Sequence, residues 1–160
     1  MVDSDSLCGA VPVGIESGAI LDSQMAASST YDHDHMSHQG RLNYNGPGSD
    51  AWCAGLNAPP GKWLQINLGR ERTITKVATQ GRADANQWVK TYNLAYSDGQ
   101  DWKYVLDDDK SRRVFEGNRN RNTIVYHDLV NEAFTAQYVR FYPLTWQGYM
   151  SMRVELYACT

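Results

Sequence analysis

The sequence lacks the features that would mark a nucleic-acid binder, a membrane-spanning protein or a common class of enzyme. Its 15 Lys and Arg stand against 18 Asp and Glu, a formal net charge of -3, whereas nucleic-acid binders carry a basic excess. No run of about eighteen apolar residues could span a bilayer. No GxGxxG, GxSxG or P-loop motif and no paired nucleophile and base is visible. We therefore expect neither an enzyme nor a nucleic-acid partner.

Cysteine is scarce, and the first residues lack a secretory signal. The three cysteines are Cys8, Cys53 and Cys159. If the ends of the domain meet, as they often do, Cys8 and Cys159 can form a disulfide; the alternative is three free buried thiols. The opening residues have neither a basic nor an apolar region, but a disulfide favours export. We expect an extracellular protein whose signal segment is missing from this sequence, folded as a single domain over residues 1–160 with 1–7 as a flexible lead.

Helical periodicity is also missing, and short alternating segments take its place. Leu64, Ile66 and Leu68 alternate with polar or aromatic neighbours, and so do Met152 and Val154 in the last such segment, which is typical of half-buried strands. The pattern predicts one strand over 64–68 and another over 73–80, in which a bulge or a late start would reconcile the three-residue spacing of Ile74 and Val77. A further strand is predicted over 138–142, ended by a proline. Many short strands at this spacing predict a sandwich or a barrel.

Several motifs along these strands resemble one known family. They are RLN at 41–43, DAWCA at 50–54, KWLQINLG at 62–69, YVRFYPLTW at 138–146 and MRVELYAC at 152–159, preceded by GIESGAILDSQMAASS at 14–29. In this order they resemble the discoidin family, also called the coagulation factor V/VIII type C domain, over nearly the whole chain. GRADANQWV and PLTWQGYMS are similar to the amino-terminal domain of slime-mould discoidins.

The resemblance implies a fold and a mode of binding. The fold is all-β, an eight-stranded jelly-roll-like sandwich of two antiparallel sheets with the terminal cysteines bridged. Family members are extracellular adhesion and recognition modules that bind galactose-type sugars, phosphatidylserine-rich membranes or collagen through loops, called spikes, at one end. The cell-attachment tripeptide Arg-Gly-Asp is Arg82-Ala83-Asp84 in this chain, so integrin-type recognition is not expected.

Carried onto this sequence, the spikes are residues 30–39, 44–49 and 83–87, with 147–149 nearby. A sugar site needs planar donors and acceptors and an aromatic face, and these loops supply both. We therefore expect a cell-surface or matrix glycan or glycoprotein as the ligand; the alternative is a set of ordinary solvated loops. The candidate ligand-binding residues are Tyr31, His33, His35, Met36, His38, Gln39, Tyr44, Asn45, Asp84, Asn86, Gln87, Gln147 and Tyr149.

Two other ligand classes are weighed against sugar. An anionic phospholipid membrane requires exposed apolar tips ringed by Lys or Arg, but only Tyr31 and Met36 could insert and Asp32 and Asp34 would oppose an anionic surface. Protonation of the three loop histidines near about pH 6 would reverse much of this charge, so acid-dependent membrane binding is the second hypothesis. Collagen or another matrix protein is the third, and would need a trench with a central exposed Trp.

The remaining conspicuous residues are expected to be structural. The DHDHMSH run over 32–38 contains metal-ligating types, but ligands so close together in one loop seldom converge, so no metal and no cofactor are expected. A buried or half-buried ion pair is predicted between Arg41 and Glu155. Cys53 is expected to be a small buried hydrophobe. Packing or structural roles are expected for Trp52, Trp63, Trp88, Trp102 and Arg82.

Overall fold

The computed structural model describes residues 9–56, 59–129 and 131–159. Within them, ten strands and two short 3-10 helices alternate with long loops. The all-β class is confirmed, with ten strands instead of the eight expected, because short strands also form outside the long alternating segments. The strands are β1 Val11–Pro12, β2 Met25–Ala27, β3 Trp52–Cys53, β4 Leu64–Gln80, β5 Trp88–Ser97, β6 Trp102–Tyr104, β7 Phe115–Glu116, β8 Val125–Asp128, β9 Phe134–Gln147 and β10 Ser151–Ala158; the helices are Asp22–Gln24 and Ser37–Gly40.

All strand pairs are antiparallel, and the long strands β4, β5, β9 and β10 form the centre of the sandwich. The main order is β1-β10-β4-β9-β5-β6, with β2 and β8 also paired with β4, β7 with β5 and β3 with β10. Alternate residues of the central strands fill one continuous core that includes Ile66, Leu94, Phe141 and Leu156. The alternation seen in the sequence therefore separates core-facing from outward-facing positions.

Residues 64–80 form one strand, where two were predicted. The register of β4 against β9 shifts between Asn67 and Arg72, and Gly69 lies in the shifted segment at a φ of 80°, a value that glycine adopts without strain. Before the shift β4 pairs with β2 and β9, and near its end it pairs with β8 and β10. The shift near Gly69 was not predicted, and the strand continues through it. The predicted bulge between Ile74 and Val77 is present, because the β4–β10 pairing passes from Lys76 opposite Tyr157 to Ile74 opposite Ala158 and skips Thr75.

Pro143 does not end its strand. β9 continues to Gln147, and Pro143 lies opposite Tyr92. The β5–β9 register shifts on either side of Thr91, directly beside this pair. An irregular ladder at this point tolerates a residue that has no N–H to donate, which is where proline is accommodated in a sheet.

The predicted ion pair between Arg41 and Glu155 is wrong, although both residues are described and buried. The Arg41 guanidinium instead donates to Asp22 Oδ1 at 2.6 Å and to the carbonyls of Ile15 and Ile20 at 2.7 Å each. Glu155 accepts from backbone N–H groups. The two side chains thus hold the segment 13–22 independently, because its backbone carbonyls accept from Arg41 and its backbone N–H groups donate to Glu155.

Three further expectations fall partly or wholly outside the described residues. The lead over residues 1–7 and Cys8 lie there, so the flexible lead and the Cys8–Cys159 disulfide remain predictions. The single domain over 1–160 also remains a prediction. In the part of the chain that the structure describes, no helix is long and apolar enough to cross a membrane.

Candidate binding site

The short strand β3 brings three of the loops together at one end of the sandwich. Cys53 pairs with Ser151 of β10, which places the 50–54 segment beside the turn at 147–150. The first spike is attached to the same strand, because Tyr31 N–H donates to the Cys53 carbonyl at 2.9 Å and Cys53 N–H donates to the His35 carbonyl at 3.2 Å. The backbone of β3 is therefore shared by the loops that carry the candidate residues.

These loops enclose a pocket of about 290 Å³. Four of the predicted residues line it, which are Tyr31, His35, Gln87 and Tyr149, and the structure adds Cys53 and Arg82. Its volume lies near the lower end of the range for small-molecule sites, about 300 Å³. The pocket is thus of a size for one ring-sized ligand group.

One wall of the pocket is aromatic. The rings of Tyr31 and Tyr149 meet edge to face with centroids 5.8 Å apart, and Tyr31 meets His35 in the same manner at 5.1 Å. Tyr149 is held by a hydrogen bond from its hydroxyl to the Gly55 carbonyl at 3.3 Å, and partial burial raises its pKa. Edge-to-face packing orients these rings relative to one another.

A second, polar wall is built around Arg82. Asp84 takes one edge of the guanidinium, with Nε–Oδ1 at 2.6 Å and Nη2–Oδ2 at 3.2 Å. On the other edge, Nη1 donates to Gln87 Oε1 at 2.9 Å. This bidentate contact lowers the pKa of the Asp84 carboxyl and raises that of Arg82. Both groups are therefore ionised at neutral pH, and the pair carries no net charge.

Gln87 and Cys53 form the inner part of the pocket. Gln87 Oε1 accepts from both Arg82 and the Ser151 hydroxyl, the latter at 3.0 Å. Two donors on one oxygen fix the amide assignment, so the amide nitrogen is oriented away from them. The buried Cys53 thiol lies 3.0 Å from the Ser151 hydroxyl, and burial raises its pKa. Cys53 is buried as expected, and it also contributes to the pocket lining.

His35 connects the pocket to the outer part of the first spike. Its Nδ1 lies 2.5 Å from Asp32 Oδ1, and this hydrogen bond lowers the pKa of the Asp32 carboxyl. With Nδ1 carrying the proton that Asp32 accepts, a neutral His35 leaves Nε2 as an acceptor. The side chain of His35 is 12% exposed, against 47% for Asp32, and the imidazole is part of the pocket lining.

The other predicted residues do not line the pocket. His33, Asn45 and Gln147 are exposed, and Met36 is half-buried. His38 packs edge to face on Tyr44 with centroids 6.5 Å apart. Asp84 and Asn86 belong to the 82–87 loop but serve neighbouring side chains, Asp84 by binding Arg82 and Asn86 by accepting from Arg121 Nε at 2.8 Å.

Gln39 is structural and cannot serve as a ligand-binding residue. It is 1% exposed. Its Nε2 donates to the carbonyls of Asp34 and Ser49, the latter at 2.9 Å, and its Oε1 accepts from Met36 N–H at 2.6 Å. A buried amide must satisfy both its donor and its acceptor, and Gln39 does so by joining the first spike to the second.

Sequence reasoning missed three residues at this end of the sandwich. Arg82 was assigned to structure, yet it both binds Asp84 and lines the pocket. Arg121, from the charged 107–122 segment, anchors the third spike through Asn86 and the Ala83 carbonyl. Leu56 is 68% exposed. Leu56 could have been found from the sequence, because it is an apolar residue close to the turn-forming residues Pro59, Pro60 and Gly61. No local pattern in the sequence identified Arg82 or Arg121.

No metal site is evident at these loops. Over residues 9–56, 59–129 and 131–159, no three His, Cys, Asp or Glu side chains are arranged so that they could hold a metal ion. In the DHDHMSH run, His35 is hydrogen-bonded to Asp32 and the His38 ring packs on Tyr44. The donors point to separate partners and do not converge.

Known proteins share both sequence and fold with this chain. The family model for the F5/8 type C domain matches residues 24–156. Mouse lactadherin is 36% identical over 157 residues, covering 92% of this chain and 33% of the relative. The venom prothrombin activator pseutarin-C non-catalytic subunit of Pseudonaja textilis is 36% identical over 156 residues, covering 93% of this chain and 10% of the relative. Discoidin II of Dictyostelium discoideum superposes with a TM-score of 0.82 at 26% identity, covering 94% of this chain and 58% of that structure.

The fold, the loop pocket and these relatives together define a non-catalytic β-sandwich binding module. The chain spans only about a third of the length of lactadherin. It belongs to the F5/8 type C, or discoidin, domain family, and the resemblance found in its motifs is confirmed.

Proposed function

We propose that this chain is an extracellular recognition module that binds the carbohydrate of a cell-surface or matrix glycan or glycoprotein in the loop pocket. The observation that carries this proposal is the composition of the pocket. Aromatic rings form one wall and oriented planar donors and acceptors form the other. Sugars present both an apolar C–H face and directional hydroxyls, so they require both kinds of wall.

The aromatic wall offers a platform for a sugar ring. Tyr31 is 59% exposed although it contacts His35 and Tyr149, so much of its apolar surface is open to solvent. Covering that surface with the C–H face of a ring removes apolar area from water. The contacts with His35 and Tyr149 fix the ring beforehand, which lowers the entropy lost on binding.

The polar wall offers donors and an acceptor whose directions are already set. Gln87 uses its oxygen for Arg82 and Ser151, which leaves the amide nitrogen as a donor. His35 supplies an acceptor at Nε2 when Nδ1 donates to Asp32. Arg82 Nη1 is directed to the same wall by Gln87. A vicinal pair of hydroxyls, each both donor and acceptor, matches this set.

An extracellular location is part of the proposal. Proteins that meet surface or matrix glycans work outside the cell, and the family resemblance implies extracellular modules. The name of the Pseudonaja relative, a venom subunit, is consistent with this location. Detection of the Cys8–Cys159 disulfide in the native protein by peptide mass mapping would support it, and recovery of both thiols in reduced form would count against it.

The test of the proposal is direct binding to sugars. We expect the protein to bind glycans on an array. Its affinity for the most strongly bound glycan is then measured by calorimetric titration. Tyr31→Ala should lower the affinity about tenfold or more by removing the platform. Tyr126→Ala is the matched control, because Tyr126 is also an exposed tyrosine, 48% accessible, but lies on β8 and not in the pocket. An array without hits, or equal effects of the two variants, would contradict sugar binding in this pocket.

Anionic phospholipid is a second candidate, favoured by one observation. Leu56 is highly exposed and follows Gly55, whose carbonyl accepts from the Tyr149 hydroxyl. It therefore lies beside the aromatic wall, where Tyr31 is exposed as well, and the two apolar side chains could enter the acyl boundary together. Met36, the other predicted tip, is half-buried.

Vesicle flotation tests the phospholipid candidate. Vesicles of phosphatidylcholine with and without phosphatidylserine would be mixed with the protein at neutral and mildly acidic pH. Binding that requires phosphatidylserine and is lost in Leu56→Ser would favour this candidate, and Leu21→Ser is the matched control because Leu21 is 59% exposed outside the loops of the pocket. Absence of binding at both pH values would end it.

Collagen, the third candidate, requires a central exposed tryptophan. All five tryptophans lie in the described part of the chain, and each is buried or half-buried. No observation therefore favours this candidate.

A further inference from the structure

We infer that Asp84 is a specificity-determining residue that masks Arg82 and restricts the pocket to uncharged sugars, excluding sialylated, sulfated and other anionic forms. This inference rests on the proposed sugar-binding function and adds the class of ligand. Asp84 itself does not line the pocket; it acts through Arg82.

The first step concerns how Arg82 can act on a ligand. An arginine in a binding pocket usually favours anions, because its planar fork matches a carboxylate or a sulfate. In this chain the edge formed by Nε and Nη2 is occupied by the two carboxylate oxygens of Asp84. Only Nη1 reaches the polar wall, where it contacts Gln87. Arg82 therefore supplies directional N–H groups without an uncompensated positive charge.

The second step concerns the charges around the mouth of the pocket. Asp32 is hydrogen-bonded to the lining residue His35, and Asp50 donates its backbone N–H to Asp84 Oδ1 at 3.3 Å. Hydrogen bonding to Arg82 and to His35 lowers the pKa of Asp84 and of Asp32, respectively. Both carboxylates are thus present at neutral pH on residues bonded directly to the pocket lining.

The third step concerns the cations nearby. Arg121 is directed to Asn86 and to the Ala83 carbonyl. Arg153 is buried, with its guanidinium donating to the carbonyls of Gly81 at 2.7 Å and Tyr44 at 3.2 Å. Neither lines the pocket. An anionic sugar would therefore find the charge of Arg82 already balanced by Asp84 and no other arginine or lysine among the described lining residues to pair with it. The Asp32 carboxylate, bonded to the lining residue His35, would repel it as a like charge.

The experiment uses an array on which each neutral glycan is printed beside its sialylated and sulfated forms. Wild-type protein should bind the neutral member of a pair at least about tenfold more tightly. Asp84→Asn keeps the shape and one acceptor oxygen but unmasks the guanidinium, so it should reduce this preference about tenfold or reverse it. Asp34→Asn is the matched control, because it removes one negative charge from the first spike without touching Arg82.

Several outcomes would overturn the inference. They are wild-type binding of anionic and neutral forms alike, an unchanged preference in Asp84→Asn, and equal changes in Asp84→Asn and Asp34→Asn. If Asp84→Asn fails to fold or to bind, the wild type still provides a test. Its preference for neutral glycans should weaken as salt is raised, since salt screens exposed charges, and a preference independent of salt would refute electrostatic exclusion. A complete absence of glycan binding would instead refute the proposed function.

Discussion

Replacing Glu155 with Gln tests how the segment 13–22 is held against the sandwich. Glu155 is 1% exposed and accepts three backbone N–H groups. Oε1 takes those of Ile15 at 3.2 Å and Leu156 at 3.0 Å, and Oε2 takes that of Glu16 at 2.9 Å. With the amide oxygen of Gln in the Oε1 position, two bonds survive. The amide nitrogen must then face the Glu16 N–H, donor against donor.

The expected loss of stability follows from the one hydrogen-bond acceptor that the substitution removes. Leaving a buried donor unsatisfied costs about 1–3 kcal/mol. For a domain of this size each kcal/mol lowers the melting temperature by about 2–4 °C, so a decrease of about 2–12 °C is expected. Glu16→Gln is the matched control, because Glu16 is exposed, and it should stay within about 0.5 kcal/mol of wild type. Thermal and urea unfolding, followed by circular dichroism, measure both variants.

The pH dependence gives this prediction a second readout. Burial raises the pKa of Glu155 above its ordinary value of 4.5, so the folded protein binds this proton more tightly than the unfolded chain does. The contribution of Glu155 to the free energy of unfolding is full below about pH 4.5 and is lost as pH rises through the raised pKa. The destabilisation by Gln should therefore be larger at acidic than at neutral pH. An unchanged melting temperature, or a deficit that grows with pH, would refute the reasoning.

Three further variants or reagents test other parts of the structure. Gly148 has a φ of 69°, and a Cβ there would lie 2.7 Å from the Asn86 carbonyl oxygen, so Gly148→Ala should destabilise the fold by about 1–2 kcal/mol and weaken ligand binding in the same titration; unchanged binding would contradict contact between these loops. Arg140 stacks between Trp63 and Trp102 at 3.9 Å from each ring, so Arg140→Lys should cost about 1–2 kcal/mol in urea unfolding, and an unaltered midpoint would contradict a stabilising stack. Cys53 is buried with a raised pKa, so it should react with a thiol reagent only after denaturation, and rapid labelling of the folded protein would show otherwise.

The class of fold could be predicted from the sequence because strand alternation is local. Leu64, Ile66 and Leu68 are all buried, as their period of two requires when one face of a strand meets the core. Trp52 and Cys53 were likewise expected to pack, and both are buried. Strand boundaries were less well predicted, since the continuation of β4 through Gly69 and of β9 through Pro143 depends on register shifts against neighbouring strands.

The candidate site was only half predictable. Its aromatic and amide members, Tyr31, Gln87 and Tyr149, belong to loops whose polarity and length indicated function. Gln39 has the same residue type and the same kind of loop, yet it is buried. Polarity alone does not distinguish a side chain that turns inward to hold two loops together from one that faces a ligand.

By itself, the sequence determined that this chain forms many short strands separated by long polar loops, because hydrophobic alternation and turn residues act over a few neighbours. Only the tertiary structure decided that Arg41 binds Asp22 instead of Glu155, that Arg82 and Cys53 enter the pocket, and that Arg121 supports the third spike. Arg41 and Asp22 are far apart in the chain, and so are Cys53 and Arg82 and Arg121 and Asn86. Their partners are chosen by which loops the strand pairing brings together and by which buried polar groups must be satisfied there.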